Sequence, residues 1–252
     1  MINEKLDGNA YINHNCPICG GGKHYHKINN YTIDRCSSCG FVYVKNIPSD
    51  SKLFEYYDRS YKEGGIFRPN KSISRKIKYL VLSKFIQVVS GANKIKLLEI
   101  GCSQGYLLNA VKHNIRFDAE GIDYAGVPVK YAHSTGLKVF QSSLENMQYP
   151  SEIFDLIVAL HVIEHVQDLK QTIHEIRRVL KKGGHLYIVV PCVSHVKAKV
   201  AGKKWKYFGP PGHLWYFATK SAKMFLEKEG FSIKIATCLS HRAHLSVLAV
   251  KK

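Results

Sequence analysis

Two matched pairs of cysteines are the first residues whose type and spacing point to chemistry. Cys16-Pro-Ile-Cys19-Gly and Cys36-Ser-Ser-Cys39-Gly are separated by 16 residues. Each is a knuckle, and together they supply four thiolates, enough to close a tetrahedral shell around one zinc ion. A closed shell of this kind is structural, because it lets a short segment fold without a large core. A redox pair is the alternative, but two matched knuckles favour a shared metal. Four sulfurs leave no vacancy, so the nearby His14, His24 and His26 are expected to be exposed.

A second constellation is the run Leu97-Leu98-Glu99-Ile100-Gly101-Cys102-Ser103-Gln104-Gly105. Small residues at 101, 103 and 105 permit a tight turn and a close approach of backbone to a ligand. Asp123 follows 22 residues after Gly101, the distance at which an acid binds ribose hydroxyls in nucleotide folds. The dinucleotide fingerprint would need a glycine where this chain has Tyr106, and Glu99 suits a positively charged cofactor better than a pyrophosphate. A third group is His161, Glu164 and His165 in HVIEHV, with His213 in GPPGHLWYF. Imidazoles titrate near neutral pH and suit general-base work. Glu164 and His165 have a plainer reading as caps of the next helix.

These residues need elements to position them. From Lys94 to about Cys192 the pattern is strand, glycine-rich turn and helix, repeated. KIKLLEIG, FDAEGID, LKVFQSS, FDLIVAL and HLYIVVP are the strands; YLLNAVKHN, a segment around Pro128 and QDLKQTIHEIRRVLKKGG are the helices, the last stopped by Gly183-Gly184. Such alternation predicts a doubly wound α/β sheet with its ligand beyond the carboxyl ends of the strands. Residues 1–45 read as short strands around the knuckles. Residues 46–92 read as a helical lid or linker, with Ile73, Ile77, Leu80, Val81, Phe85 and Val88 at helical spacing. The catalytic domain is expected over 93–252, with a substrate loop at about 194–217.

Composition narrows the classes. The 252 residues are 45% hydrophobic and 22% charged, which excludes a mainly disordered chain. No apolar stretch approaches the ~20 residues of a membrane helix, and the opening residues hold no run that reads as a secretory signal. Seven cysteines are an odd count for a disulfide framework, so reduced thiols in a cytoplasmic setting are expected, with Cys102, Cys192 and Cys238 as small core residues. The formal net charge of +18 makes nucleic acid or phosphorylated metabolites plausible partners. Of the 37 basic residues, 29 are lysines, whereas phosphate and base recognition favours arginine forks.

LLEIGCSQGYLL, GIDYA, SEIFDLIVALHVIEHVQDL and VLKKGGHLYIVVP together resemble the successive motifs of class I S-adenosylmethionine-dependent methyltransferases. PPGHLWYFATKSAKMFLEKEGF resembles the end of that family's small-molecule branch, which includes many sugar and surface-glycan enzymes. The resemblance implies a mostly parallel, seven-stranded, Rossmann-like sheet with the small zinc ribbon at its N-terminal side. It implies that Gly101, Cys102, Ser103 and Gly105 wrap the methionine portion of S-adenosylmethionine, with Glu99 near its charged end. Asp123 would bind the ribose, Tyr124 would cover the adenine, and Ser142, Ser143 and Leu144 would lie by the adenine edge. His161 would line the pocket near the sulfonium. Ser103 stands where many members have glycine, and Ser142-Ser143 where many carry an acid.

The acceptor implied is a small molecule, such as a sugar or nucleotide-linked sugar. Lys197, Lys199, Lys203, Lys204 and Lys206 lie among Trp205, Tyr207, Phe208, Trp215, Tyr216 and Phe217, a pairing suited to stacking on a phosphorylated acceptor. Tyr56, Tyr57 and Tyr61 offer a lid, an acceptor wall or simple packing. An RNA methyltransferase using the ribbon as an RNA-binding element is the alternative, supported by seven basic and no acidic residues over 71–96. The chain lacks an Asn/Asp-Pro-Pro-aromatic signature after the fourth core strand, and Pro191-Cys192 follows the fifth strand, not the fourth. An inactive binding module is a further alternative, disfavoured by the intact turn and Asp123. Sugar carbon-methyltransferases have a similar N-terminal region but usually a further C-terminal domain, which leaves the methylated atom open. Oligomeric state is not legible.

Overall fold

A computed structural model describes residues 11–13, 15–62, 73–238 and 242–252. The N-terminal part contains β1 (Tyr11–Asn13), β2 (His24–Ile28), β3 (Tyr31–Arg35), β4 (Val42–Val44) and β5 (Asn46–Pro48), then α1 (Asp50–Lys62) and α2 (Ile73–Ser90). The alternating region gives β6 (Ile95–Ile100), α3 (Tyr106–Val111), β7 (Phe117–Asp123), α4 (Gly126–Ser134), β8 (Val139–Gln141), β9 (Phe154–Leu160), α5 (Leu169–Val179) and β10 (Leu180–Pro191). The tail adds α6 (Val196–Ala201), β11 (Trp215–Tyr216), α7 (Thr219–Lys228), β12 (Phe231–Thr237) and β13 (His244–Lys251).

The central sheet has seven strands in the order β12-β13-β10-β9-β6-β7-β8. The five from β10 to β8 are parallel, and β13 runs antiparallel to both neighbours. The chain builds outward from β6 to β8 and then returns to lay β9 on the other side of β6. That reversal opens a crevice at the carboxyl ends of β6 and β9, where α/β sheets bind ligands. β9 is a nearly continuous apolar run because helices cover both faces of the sheet around it.

Local chemistry explains most boundaries. Asp168 caps α5 by accepting from the Gln171 amide at 2.9 Å, so the cap falls there and not on Glu164 or His165. Leu169, Ile173, Ile176 and Val179 are its buried stripe. The helix stops at Val179, ahead of the glycine pair: Leu180 already pairs with Phe154, and Gly183 sits in the irregular register that precedes His185. α2 forms as its spacing predicts but turns a different face inward. Ile86, Tyr79, Leu82 and Phe85 pack on the core, while Ile73, Ile77, Leu80, Val81 and Val88 are exposed. Two apolar rows overlap on this helix, and the aromatic one matches the ring of Tyr187 beneath it. Among the described residues, no helix is long and apolar enough to cross a membrane.

The cysteine segment is joined to the sheet domain by backbone and core alike. Its sheet runs β11-β4-β3-β2, with Trp215 opposite Tyr43 and Tyr216 opposite Val42. Phe41 lies 6.4 Å from Trp215 and 5.2 Å from Phe217, ring to ring. One hydrophobic cluster continues from Cys16 and Phe41 through Trp215 to Ala249. This corrects the reading of the 205–217 aromatics as a stacking platform. Trp205, Phe208, Trp215, Tyr216 and Phe217 are buried in the hydrophobic cluster shared with the cysteine segment, because their rings are worth more removed from water than displayed. His26, expected to be exposed, is likewise buried, against Tyr25 and Phe208. The side chains of His14, His24 and Tyr61 lie outside the described residues.

A further correction concerns two thiols. Cys192 and Cys238 form a disulfide, their Cα atoms 6.4 Å apart. They follow the last residues of β10 and β12, the two strands that flank β13, and both segments run past the end where β13 begins. Cys16, Cys19, Cys36, Cys39 and Cys102 are free thiols.

Candidate functional site

β6 delivers the glycine turn to the crevice. Gly101 and Gly105 have φ of +66° and +69°, and Ser103 takes +47°, so the turn needs three left-handed residues in five. A Cβ on Gly101 would stand 2.2 Å from Val162 Cγ2, which explains glycine there on space as well as conformation. β7 ends in Asp123, whose two oxygens are held by the turn itself: Oδ2 accepts from the Ser103 amide at 2.8 Å and Oδ1 from the Ala125 amide at 2.9 Å. Burial raises its pKa against the pull of those amides. Glu99 is 3% exposed beneath the turn, and its Oε2 has no hydrogen-bond partner. Burial pushes its pKa well up, and the charge on Asp123 adds to the rise.

Around this turn, the expected residues separate. Tyr124 is exposed at the lip. Ser143 accepts from the Asn146 amide at 3.2 Å, Leu144 is buried below it, and the Ser142 amide donates to the Asp123 carbonyl. Cys102 lies inside the turn with its side chain in the core. Its amide donates to the Ile122 carbonyl at 3.0 Å, and its thiol is buried among Leu107 and Leu108. No motif singles out Tyr79 and Tyr106 as a pair, yet their stacked rings lie 5.6 Å apart with Arg75 over Tyr106.

The carboxyl end of β9 carries the other half. His161 has φ of +58°, a left-handed conformation unusual outside glycine. Its Nδ1 is 3.3 Å from Glu164 Oε1, and its ring meets that of His244 at 4.3 Å. Glu164 is 1% exposed. Burial alone would raise its pKa, but His161 and His165 outweigh that and hold it below the usual carboxylate range. His165 Nε2 lies 3.9 Å from Glu164 Oε1. His165 Nδ1 faces the Gly212 carbonyl and the Tyr57 hydroxyl, which also donates to Gly212. His213 Nδ1 is 2.8 Å from the Tyr207 carbonyl, and its ring lies 4.7 Å from that of His165. Burial, then His165, push the His213 pKa down.

The loop bearing His213 is tied to this turn by backbone. The amides of Leu214 and Trp215 both donate to the Glu164 carbonyl. The structure therefore brings His161, Glu164, His165 and His213 together as the sequence suggested, and adds Tyr57, Tyr207 and His244. Tyr207 hydroxyl and His244 Nε2 are 2.9 Å apart. His244 sits at the first position of β13, opposite Pro191, so only the antiparallel return of the last strand brings it here.

The four knuckle cysteines converge independently. Cys16 and Cys39 sulfurs are 3.4 Å apart, Cys19 and Cys36 3.2 Å, and all four lie within 4.8 Å of one another. Burial raises the Cys36 thiol, but the amides of Cys39 and Ser38 with the Cys19 sulfur bring it down to about 6. This donor set suits a thiophilic cation in tetrahedral coordination.

A mostly parallel seven-stranded sheet with a glycine turn after its first strand and an acid ending its second is the Rossmann-like architecture of S-adenosylmethionine-dependent methyltransferases. The methyltransferase-domain family matches residues 73–234, and the chain belongs to it. S-adenosylmethionine is the cofactor of the methyltransferases of this family. Curated relatives include a protein named ubiquinone biosynthesis O-methyltransferase from Photorhabdus laumondii, 28% identical over 44% of this chain and 49% of that protein. The mitochondrial protein of that name from Rattus norvegicus is 28% identical over 56% of this chain and 45% of its own length. The chain thus spans about half the length of the curated relatives it matches. Among solved structures, the cyclase SpnF aligns with a TM-score of 0.62 at 18% identity, covering 81% of this chain and 97% of that one. A Thermotoga maritima structure titled as a possible histamine N-methyltransferase aligns at 0.56 and 18% identity, covering 80% and 99%. Both show the fold alone, and one fold serving a cyclase and a possible histamine N-methyltransferase says little about the acceptor.

Proposed function

We propose that this methyltransferase acts on a hydroxyl of a small acceptor, a sugar or nucleotide-linked sugar, with His161 as the base. The arrangement of His161 and Glu164 at the end of β9 carries this reading: Nδ1 faces a buried carboxylate 3.3 Å away, leaving Nε2 to accept a proton. The residues present fit the cofactor. Glu99 has an orphaned buried oxygen beneath the turn, a partner suited to a cation, and Asp123 is held at the position from which ribose hydroxyls are bound. When bound, S-adenosylmethionine supplies an activated methyl group. In this assignment Gly101, Ser103 and Gly105 enclose its methionine end, and Ser143 and Leu144 border its adenine. Tyr57 and the 209–214 loop exclude water from the mouth, which in-line transfer chiefly requires. The four cysteines hold a structural zinc ion.

Two observations favour a small acceptor over RNA. The aromatic residues that would stack on bases are buried against the cysteine segment. Lysines 197, 199, 203, 204 and 206 are exposed, and Lys206 lies over the ring of half-buried Tyr207, enough to meet a phosphate. The relatives named O-methyltransferases accord with oxygen as the methylated atom.

The test is binding to a panel of nucleotide sugars and to RNA across a salt series, with S-adenosylhomocysteine present. Stoichiometric binding of a nucleotide sugar, with weak and unselective RNA binding, supports the proposal. Tight RNA binding that falls steeply with salt overturns it, since released counterions give that slope. With an acceptor in hand, His161→Ala should lower kcat by about 10²–10⁴-fold, a far larger effect than its change in S-adenosylhomocysteine affinity.

A further inference from the structure

An arc of cations lies round the mouth of the crevice, beside His161. It begins on α2, where Arg75 Cζ lies 4.9 Å over the ring of Tyr106 and Lys78 Nζ lies 5.4 Å over that of Tyr79. Those two rings stack at 5.6 Å, and Tyr106 follows Gly105 directly, so both cations are anchored to the glycine turn. The arc continues through Arg242 to His244, two residues further on, whose ring meets that of His161 at 4.3 Å. It ends at Tyr207, whose hydroxyl is 2.9 Å from His244 Nε2 and whose ring lies beneath Lys206 Nζ at 4.8 Å. Segments from three distant parts of the sequence bring four cations to one rim.

These charges act on one another, and no acid among the described residues relieves Lys78. Loss of water, then the charges of Arg242 and Arg75, lower the Lys78 pKa, and no carboxylate opposes them. Lys78 and Arg242 in turn add to the lowering of the His244 pKa. The acids closest to the mouth are already engaged or buried. Glu164 faces His161, Asp123 accepts from two amides, and Glu99 lies beneath the turn. Residues 71–98 contain no acid at all. A concave mouth lined by one sign of charge focuses its field on an incoming ion of the other sign. Lysine offers a compact charge and arginine a planar fork, and both suit phosphoryl oxygens.

We infer that Lys78 and Arg242, joined by Lys206, bind a phosphate or diphosphate group carried by the acceptor. This rests on the methyl-transfer reading above and extends it from a pocket to an orientation. With its anion on the rim, the acceptor reaches inward past His244, and one hydroxyl meets His161. The spacing between anion and hydroxyl then decides which hydroxyl is methylated. Arg75 stays over Tyr106, on the cofactor side of the rim.

The test is calorimetric titration of the full chain, loaded with Zn2+ and saturated with S-adenosylhomocysteine. The probes are inorganic pyrophosphate, UDP and uridine, and no turnover is needed. The inference expects pyrophosphate and UDP to bind stoichiometrically and uridine not to bind. Lys78→Ala and Arg242→Ala should each weaken both anions about tenfold or more, as expected for lost hydrogen bonds between charged groups. Lys78→Arg should recover most of that loss. Lys170→Ala removes an exposed lysine on α5 and should change nothing. Affinity for S-adenosylhomocysteine should move far less than affinity for the anions, which also reports folding. UDP binding tighter than pyrophosphate marks a nucleotide-linked acceptor, and equal affinities mark a simple phosphate ester; both support the site. Absent pyrophosphate binding, or binding that survives both alanine variants, overturns it. So does an equal loss of S-adenosylhomocysteine affinity, which would assign these cations to the cofactor. An RNA oligonucleotide that displaces pyrophosphate and depends on the same residues also overturns it. Loss of the anion site leaves the methyl-transfer reading standing, and a chain that binds pyrophosphate yet transfers no methyl group leaves the anion site standing.

Discussion

At the scale of single residues, the turn after β6 makes the sharpest demands. Gly101→Ala places a Cβ 2.2 Å from Val162 Cγ2 at a φ of +66°, so strain of about 1–3 kcal/mol adds to the clash. Thermal unfolding should report that loss, and calorimetry should show S-adenosylhomocysteine affinity falling with it. Asp123→Ala removes an acceptor of two backbone amides as well as the proposed ribose contact. Affinity for S-adenosylhomocysteine should drop by about 1.5–3 kcal/mol, the worth of hydrogen bonds to a charged group; unchanged titration heat contradicts this. His244 carries a pH prediction. Burial, then His161, Lys78 and Arg242, lower its pKa to about 4 from an ordinary 6.5. The unfolded chain therefore binds more protons between those values, and stability falls as pH drops from about 6.5 towards 4. Denaturant titrations in that window should show a shallower pH dependence for His244→Asn than for wild type. Glycines 101 and 105, Glu99 and Asp123 could be selected from sequence because their spacing is local. His244 could not, since its neighbours at 161 and 207 are reached only through strand pairing.

Among elements, the same divide between local and distant pairing decides what could be read. β6, β9 and β10 announce themselves as apolar runs, and three of the four parallel pairings join strands consecutive in the chain, β9 with β6 being the exception. β11 is only two residues long and belongs to a sheet whose other strands lie near the opposite end of the sequence. No periodicity exists in two residues, so the aromatic segment around it read as a binding surface when it is an interface. The energetic prediction follows from that burial. Trp215 is 2% exposed, and its Nε1 donates to the Val166 carbonyl at 2.6 Å. Trp215→Ala should cost about 3–5 kcal/mol in equilibrium unfolding, an outcome that an exposed stacking residue would not produce. α2 shows the remaining ambiguity: spacing identified the helix, but two overlapping apolar rows left the buried face to be chosen by the ring of Tyr187.

For the molecule as a whole, the cysteine segment and the sheet share one hydrophobic cluster. The effect of removing the proposed zinc should therefore travel. Hydrogen exchange after chelation should show lost protection in residues 15–45 and also in 205–217, while β6, β7 and β9 stay protected. Protection changes confined to 15–45 would show that the shared core holds without the metal. The pairing of β4 with β11 has a consequence for how the chain is made. At roughly 5–20 residues per second, Trp215 leaves the ribosome on the order of ten seconds or more after Tyr43, its partner in the finished sheet. The knuckles can be metallated early, but the edge of β4 stays open throughout that interval. An unpaired apolar edge is a template for the wrong strand. The nascent chain thus carries an incomplete cysteine-segment sheet through that whole interval, and its vulnerability to aggregation is set by elongation speed.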